Sequence, residues 1–422
     1  MTRLDLSNNK LSGSISLLCI VANSYLVYLD LSNNSLTGVL PNCWPQWASL
    51  VVLNLENNKF SGKIPNSLGS LQLIQTLHLR SNNLTGELPS SLKNCTSLRL
   101  IDLGKNRLSG KIPLWIGGSL PNLTILSLRS NQFSGSICSE LCQLKKIQIL
   151  DLSSNDISGV IPRCLNNFIA MTRKGSLVVA HNYSFGSSAY KDPLKFKNES
   201  YVDEALIKWK GSEFEYKNTL GLIRSIDLSR NNLLGEIPKE ITDLLELVSL
   251  NLSRNNLTGL IPTTIGQLKS LEILDLSQNE LFGEIPTSLS EISLLSVLDL
   301  SNNNLSGKIP KGTQLQSFNS YSYKGNPTLC GLPLLKKCPE DEMKQDSPTR
   351  SIEDKIQQDG NDMWFYISIA LGFIVGFWGV CGTLLLNNSL RYAYFHFLNK
   401  IKDWFYVTIA INMAKVRRSL QS

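Results

Sequence analysis

Apolar and polar residues alternate along most of this chain in a unit L-x-L-x-x-N-x-L-x-G-x-I-P. The first apolar residue of the unit recurs at Leu4, Leu29, Leu53, Leu77, Ile101, Leu126 and Leu150, and then at Ile226, Leu250, Leu274 and Leu298. The steps are 24 or 25 residues, except for one of 76 that hides an inserted segment. A fixed period of this length predicts a solenoid in which each unit forms one coil and buries its apolar face only against its neighbours. The alternating Leu pair predicts a short strand with one face inward, and the following Asn predicts a side chain that satisfies backbone groups at the turn. Gly at positions such as Gly62, Gly86 and Gly110 permits a tight bend, and Ile-Pro, as at Ile64-Pro65 and Ile237-Pro238, starts the return path. The predicted fold class is an α/β solenoid, a curved rod with a concave parallel sheet of eleven strands. At about 4.8 Å per strand the sheet runs roughly 50 Å.

A different pattern closes the chain. Trp364 to Leu386 is an uncharged apolar stretch of 23 residues, long enough as a helix to reach roughly 34 Å across a hydrocarbon core of about 30 Å. It predicts one transmembrane helix. The overall formal charge of +7 matters less than its distribution: residues 340–363 carry eight acids against three bases, whereas residues 387–422 carry six bases against one acid. The basic flank predicts a cytoplasmic C-terminus and an extracellular N-terminal side, a single-pass type I arrangement at the plasma membrane. The opening MTRLDLSNN lies inside a repeat and lacks the features of a signal peptide or an N-terminal cap, which reads as a truncated N-terminus.

Extracellular placement agrees with nine Asn-x-Ser/Thr glycosylation acceptors, at Asn33, Asn83, Asn94, Asn122, Asn182, Asn198, Asn251, Asn256 and Asn304. The repeat's own Asn-x-Leu-Ser/Thr pattern generates several of them, so they permit that placement without proving it. Eight of the nine cysteines precede the apolar stretch, where an oxidising compartment lets them pair. Cys330 and Cys338 close a short loop after the last repeat. Cys19 with Cys43, and Cys142 with Cys164, hold matching offsets in successive repeats, while Cys95 and Cys138 have no evident partner. No His lies near the cysteines, and their spacings match no zinc site.

The form LxLSxNxLSGxIP resembles the plant-specific leucine-rich repeat, and the order of segments resembles a plant leucine-rich-repeat receptor-like protein. The implied organisation is seven repeats over 1–171, a non-repeat island over 172–219, four repeats over 220–318 and a Cys cap over 319–338. An acidic juxtamembrane segment over 339–363, the membrane helix over 364–386 and a short basic tail over 387–422 complete it. The resemblance implies that the last four repeats pack against a co-receptor kinase. The tail RYAYFHFLNKIKDWFYV and the island look like the group that includes receptors for a fungal xylanase, which points to defence. A developmental peptide receptor and a non-signalling binder or decoy are the alternatives.

Candidate binding residues are those where the outward strand positions lose their monotony. The residue after the second strand Leu is mostly Ser but becomes Glu56, Arg80, Gly104 and Arg129 in the third to sixth repeats, and His78 interrupts a run of mostly Asp between the two Leu positions. Glu56, His78, Arg80 and Arg129 are therefore expected to form one polar patch, either contacting ligand or simply solvated. In the island, Tyr201 followed by Lys210-Gly211 is similar to a motif implicated in ligand recognition in this family. Trp209 beside it is either a contact residue or an anchor to the rod. Gly372, Gly376 and Gly379 put small residues on one helix face, suited to close packing with a partner helix, and the resemblance implies a receptor kinase there. Tyr392 and Tyr394 each fit a tyrosine-based endocytic signal, or lie in the inner membrane interface.

Catalysis is not expected. The three histidines, at 78, 181 and 396, are scattered, no nucleophile motif, metal cluster or carboxylate pair stands out, and kinase signatures are missing. The dispersed basic residues give no nucleic-acid footprint. The expected partners are an extracellular protein or peptide and membrane-bound kinases, with no cofactor.

Overall fold

A computed structural model describes residues 2–20, 25–172, 182–185, 199–202, 205–209, 212–216 and 220–338. Two units divide the chain, Met1–Met343 and Lys344–Ser422; the second lies outside the described residues, and with it the segment 364–386. Among the described residues no helix is long and apolar enough to cross a membrane.

Eleven three-residue strands, from Arg3–Asp5 through Val297–Asp299, form one all-parallel sheet in chain order. Each strand centres on one of the eleven apolar positions that set the repeat, so that Leu4 pairs with Leu29 and Leu274 with Leu298. A second parallel sheet of twelve strands, from Ser12–Gly13 to Thr328–Cys330, runs beside it. One continuous apolar core lies between the sheets and the short helical turns that close each coil.

Those turns follow from the Ile-Pro step. Pro65, Pro89, Pro162, Pro238 and Pro286 hold extended backbone before a 3-10 turn. The carbonyls of Pro65, Pro89, Pro238 and Pro286 accept from the N–H three residues on, as Pro65 does from Leu68 at 3.0 Å. Adjacent turns approach closely enough that a Cβ on Gly117 would fall 1.8 Å from the Glu140 carbonyl oxygen, whereas one on Gly118 would meet nothing nearer than 3.9 Å.

The coils are held in register by asparagine. After each first-sheet strand one residue takes a left-handed conformation, from Asn8 to Asn302, with φ between 51° and 58°, and the next residue is a mostly buried Asn. Asn255 is representative. Its Nδ2 is shared among the carbonyls of Leu252 and Ser253 in its own coil and Leu228 in the preceding one, at 3.0, 3.3 and 3.0 Å, and its Oδ1 accepts from Leu233 N–H at 3.0 Å. The strand residue between the two inward Leu positions supplies a second device: Asp151, Asp227, Asp275 and Asp299 each accept the N–H of the Ser two residues on. The Asp-x-Ser monotony of the outward face is thus largely self-satisfying turn chemistry.

The solenoid continues across the insertion. Ile149–Asp151 pairs directly with Ser225–Asp227, and the asparagine ladder bridges the same gap through Asn231 to Leu152 and Ile157. Phe168 and Met171, just before the insertion, belong to the main core. Leu220 and Ile223, just after it, do not, although they stand at the spacing of Leu244 and Leu247 in the next coil. The chain therefore leaves from inside the coil and returns on its outer side, so the repeat block expected from residue 220 takes up the core only after Ile223. Within the insertion Asn182–Phe185 pairs antiparallel with Glu199–Val202, and Ala205–Trp209 with Ser212–Tyr216. At the far end Asn326 adds the last rung of the ladder, and Thr328–Cys330 caps the second sheet beside the Cys330–Cys338 disulfide.

The junction buries a carboxylate. Burial, with the Asp227 charge adding to it, pushes Asp151 up to about 7, against bonds from Ser153 and the Arg129 charge.

Three outcomes follow. Asn279→Ala strands carbonyls and an N–H in two coils and is expected to cost on the order of 2–4 kcal/mol in urea unfolding. Gly117→Ala should lower the melting temperature clearly, and Gly118→Ala should leave it within about a degree. Because the folded pKa of Asp151 lies above the unfolded value, its penalty is fully present above pH 7 and is relieved as pH falls towards 4. Asp151→Asn, the residue type that Asn54 and Asn251 supply at the same position, should therefore stabilise the chain at pH 7.5 and flatten its gain in stability between pH 7.5 and 5 by on the order of 1–2 kcal/mol.

Candidate functional site on the first sheet

Residues of the outward strand face that are not committed to the repeat gather in the third to seventh coils. Asn54, His78 and Asp102 are register neighbours on three adjacent strands. Glu56 and Arg80 stand two residues beyond the first two. Nδ1 of His78 is 3.8 Å from Oε2 of Glu56, and Nη1 of Arg80 is 3.8 Å from Oδ2 of Asp102. Arg129 lies further along, half-buried, where its charge acts on Asp151.

The structure thus brings Glu56, His78 and Arg80 together as expected, but it encloses them more than an open patch would: His78 is 1% exposed and Arg80 3%. Their coil has lost the local turn device, since His78 replaces the Asp or Asn that bonds the N–H two residues on elsewhere. Asp102, absent from the expected patch, belongs to it. Its Oδ1 accepts from Gly104 N–H at 3.0 Å, and with Glu56 and His78 it offers ligand atoms all within 4.8 Å of one another, a set able to hold a metal ion. Spacings of 22 and 24 residues concealed this trio in the linear chain.

An apolar stripe adjoins the polar cluster. Leu100, Ile125 and Ile149 are register partners on three neighbouring strands and face away from the main core. They form a buried cluster of their own with Leu220 and Ile223, so the segment returning from the insertion is seated across the strand face. Reading only the two outward positions beside the second Leu missed this stripe. The residue before the first Leu carries the signal, in a run of Leu, Ile and Ile. At the N-terminal end of the same face Arg3 stacks over Tyr28 at 4.1 Å, and Tyr28 donates to Asp30 at 3.0 Å.

The other expected residues are placed as follows. Cys19–Cys43, Cys142–Cys164 and Cys330–Cys338 are disulfides with Cα separations of 5.7, 5.8 and 5.2 Å. Cys95 and Cys138 are free thiols; burial pushes Cys95 up to about 11. Asn33, Asn83, Asn94, Asn256 and Asn304 are exposed, and Asn122 and Asn251 are half-buried. Asn182 and Tyr201 lie in the first strand pair of the insertion and Trp209 ends a strand of the second. Asn198, Lys210, Gly372, Gly376, Gly379, Tyr392 and Tyr394 lie outside the described residues.

Models of the leucine-rich repeat match residues 1–19, 25–47, 49–71, 73–95, 97–119, 122–144 and 146–168, and again 221–281 and 246–305. Receptor-like protein EIX2 of Solanum lycopersicum is 53% identical over 264 residues, covering 62% of this chain and 25% of that protein. Receptor-like protein EIX1 of the same plant is 50% identical over 266 residues, 61% of this chain and 25% of that protein. The chain therefore spans about a quarter of the length of these curated relatives. The crystal structure of the Arabidopsis receptor kinase HAESA with the peptide hormone IDA and the co-receptor SERK1 superposes with a TM-score of 0.56 at 30% identity, over 79% of this chain and 50% of that one. With its repeats matched on both sides of the insertion and half of the aligned residues shared with the tomato proteins, the chain belongs to the plant leucine-rich-repeat receptor-like proteins.

Proposed function

We propose that this chain is part of a cell-surface receptor that binds an extracellular protein, peptide or microbial elicitor and signals through a partner receptor kinase in plant defence. The observation that carries this reading is the concentration of non-repeat chemistry on one strand face. Glu56, His78, Arg80 and Arg129 adjoin the apolar seat of the segment returning from the insertion. Repeats elsewhere spend their outward Asp and Ser on their own turns, which leaves this face and the insertion, with Tyr201, Trp209 and Lys210, as the natural contact surface.

In this reading the repeats and Cys cap lie outside the cell, carrying glycans at exposed acceptors such as Asn83 and Asn304, and the stretch 364–386 crosses the plasma membrane once. Gly372, Gly376 and Gly379 pack against a kinase helix, the last four repeats meet that partner's ectodomain, and Tyr392 or Tyr394 directs endocytosis. The chain needs no catalytic centre, because the kinase is borrowed. A second reading, an endogenous peptide as ligand, is favoured by the likeness to the HAESA ectodomain, which is seen with a peptide hormone and a co-receptor.

The test is a pull-down of the tagged chain, supplied with a signal peptide and an N-terminal cap, from detergent-solubilised plant membranes beside a Gly372→Leu/Gly376→Leu version. A receptor kinase that co-purifies with the first and is depleted about tenfold with the second is the expected result. Recovery of no kinase with either would leave a non-signalling extracellular binder.

A further inference from the structure

His78 is the residue that the repeat does least to explain. Where most other coils use Asp or Asn to bond the N–H two residues on, this coil buries an imidazole to 1% exposure with neither ring nitrogen hydrogen-bonded. A buried polar side chain in that state is destabilising unless something else meets it. Carboxylates flank it on both sides: Glu56 of the third coil, with Oε2 3.8 Å from Nδ1, and its register partner Asp102 of the fifth.

We propose that Glu56, His78 and Asp102 form a binding site for a divalent transition-metal ion of the zinc type, held across three adjacent coils. The ligand set decides the class of ion. One imidazole nitrogen with two carboxylate oxygens suits zinc and its neighbours in the transition series, whereas calcium and magnesium take oxygen shells. Coordination at about 2.0–2.2 Å places ligand atoms some 3.3 Å apart in a tetrahedron. The three side chains, whose ligand atoms now lie within 4.8 Å of one another, would reach it by closing at most about 1.5 Å through side-chain rotation.

The surroundings are built for orientation. Asp102 is held by Gly104 N–H on one oxygen and faced by Arg80 on the other, the outer contacts that fix a metal-binding carboxylate. Arg80 also tempers the site: two carboxylates against one guanidinium leave a single negative charge, so the ion is bound with moderate affinity. Three protein ligands leave a fourth position for water or for a carboxylate or imidazole of an incoming protein. The ion would tie the third to fifth coils together where the Asp-x-Ser device is interrupted, and would do so on the proposed contact face.

The experiment titrates the full chain with Zn²⁺ and Co²⁺, beside His78→Asn and Glu56→Gln. His78→Asn installs the residue that Asn54 and Asn251 already use at this position, where its side chain can accept the N–H two residues on, so the variant folds. The expected result is one equivalent of Zn²⁺, a visible Co²⁺ absorption band and a rise in melting temperature that EDTA reverses. Affinity should fall at least roughly tenfold in His78→Asn and in Glu56→Gln. The proposal is overturned if the wild-type chain binds neither ion, or if His78→Asn binds as tightly, which places the ion elsewhere.

Discussion

Each coil of the solenoid must turn sharply out of its first strand, and that turn removes backbone N–H and C=O groups from any ladder while leaving them buried. The asparagine that follows the left-handed residue resolves this, and every other feature of the rod depends on it. One planar amide supplies donors to two carbonyls of its own coil and one of the coil before, and an acceptor for an N–H there. Because the bonds cross between coils, they set the register of both sheets at once. A buried polar network of this kind is favourable only when complete, and it is: the ladder runs past the insertion through Asn231 and ends on Asn326 in the cap.

That constraint explains why the insertion can be long without breaking the rod. Its ends lie between the last core residue of the outgoing turn and the next strand, so Phe168 and Met171 complete the core before the chain departs, and the strand and Asn231 resume it afterwards. Leu220 and Ile223 are then released from core duty and pack outside, on Leu100, Ile125 and Ile149. The root of the insertion is thereby fixed across the strand face beside the polar cluster of the third to fifth coils.

Function in such a molecule resides in departures from the repeat. Asp-x-Ser pairs look like a binding surface in the linear chain, but Asp275 and Ser277, like their counterparts, spend their polarity on each other. The pair is lost at His78 with Arg80 and at Ser127 with Arg129. The cost is local: an imidazole without hydrogen bonds, and charges drawn into a partly enclosed row.

The period of the apolar residues was enough to determine the solenoid, the centre of all eleven first-sheet strands and the place of the insertion. All of these follow from spacing along a quasi-one-dimensional fold, in which neighbours in space are one period apart. Tertiary structure alone decided the rest. That His78 and Arg80 are enclosed and that Asp102 joins Glu56 and His78 depends on side-chain placement across adjacent strands, and that Leu220 and Ile223 leave the core although their spacing fits it depends on which side of a coil the chain returns. That choice is made by packing between segments distant in sequence, and no local pattern records it.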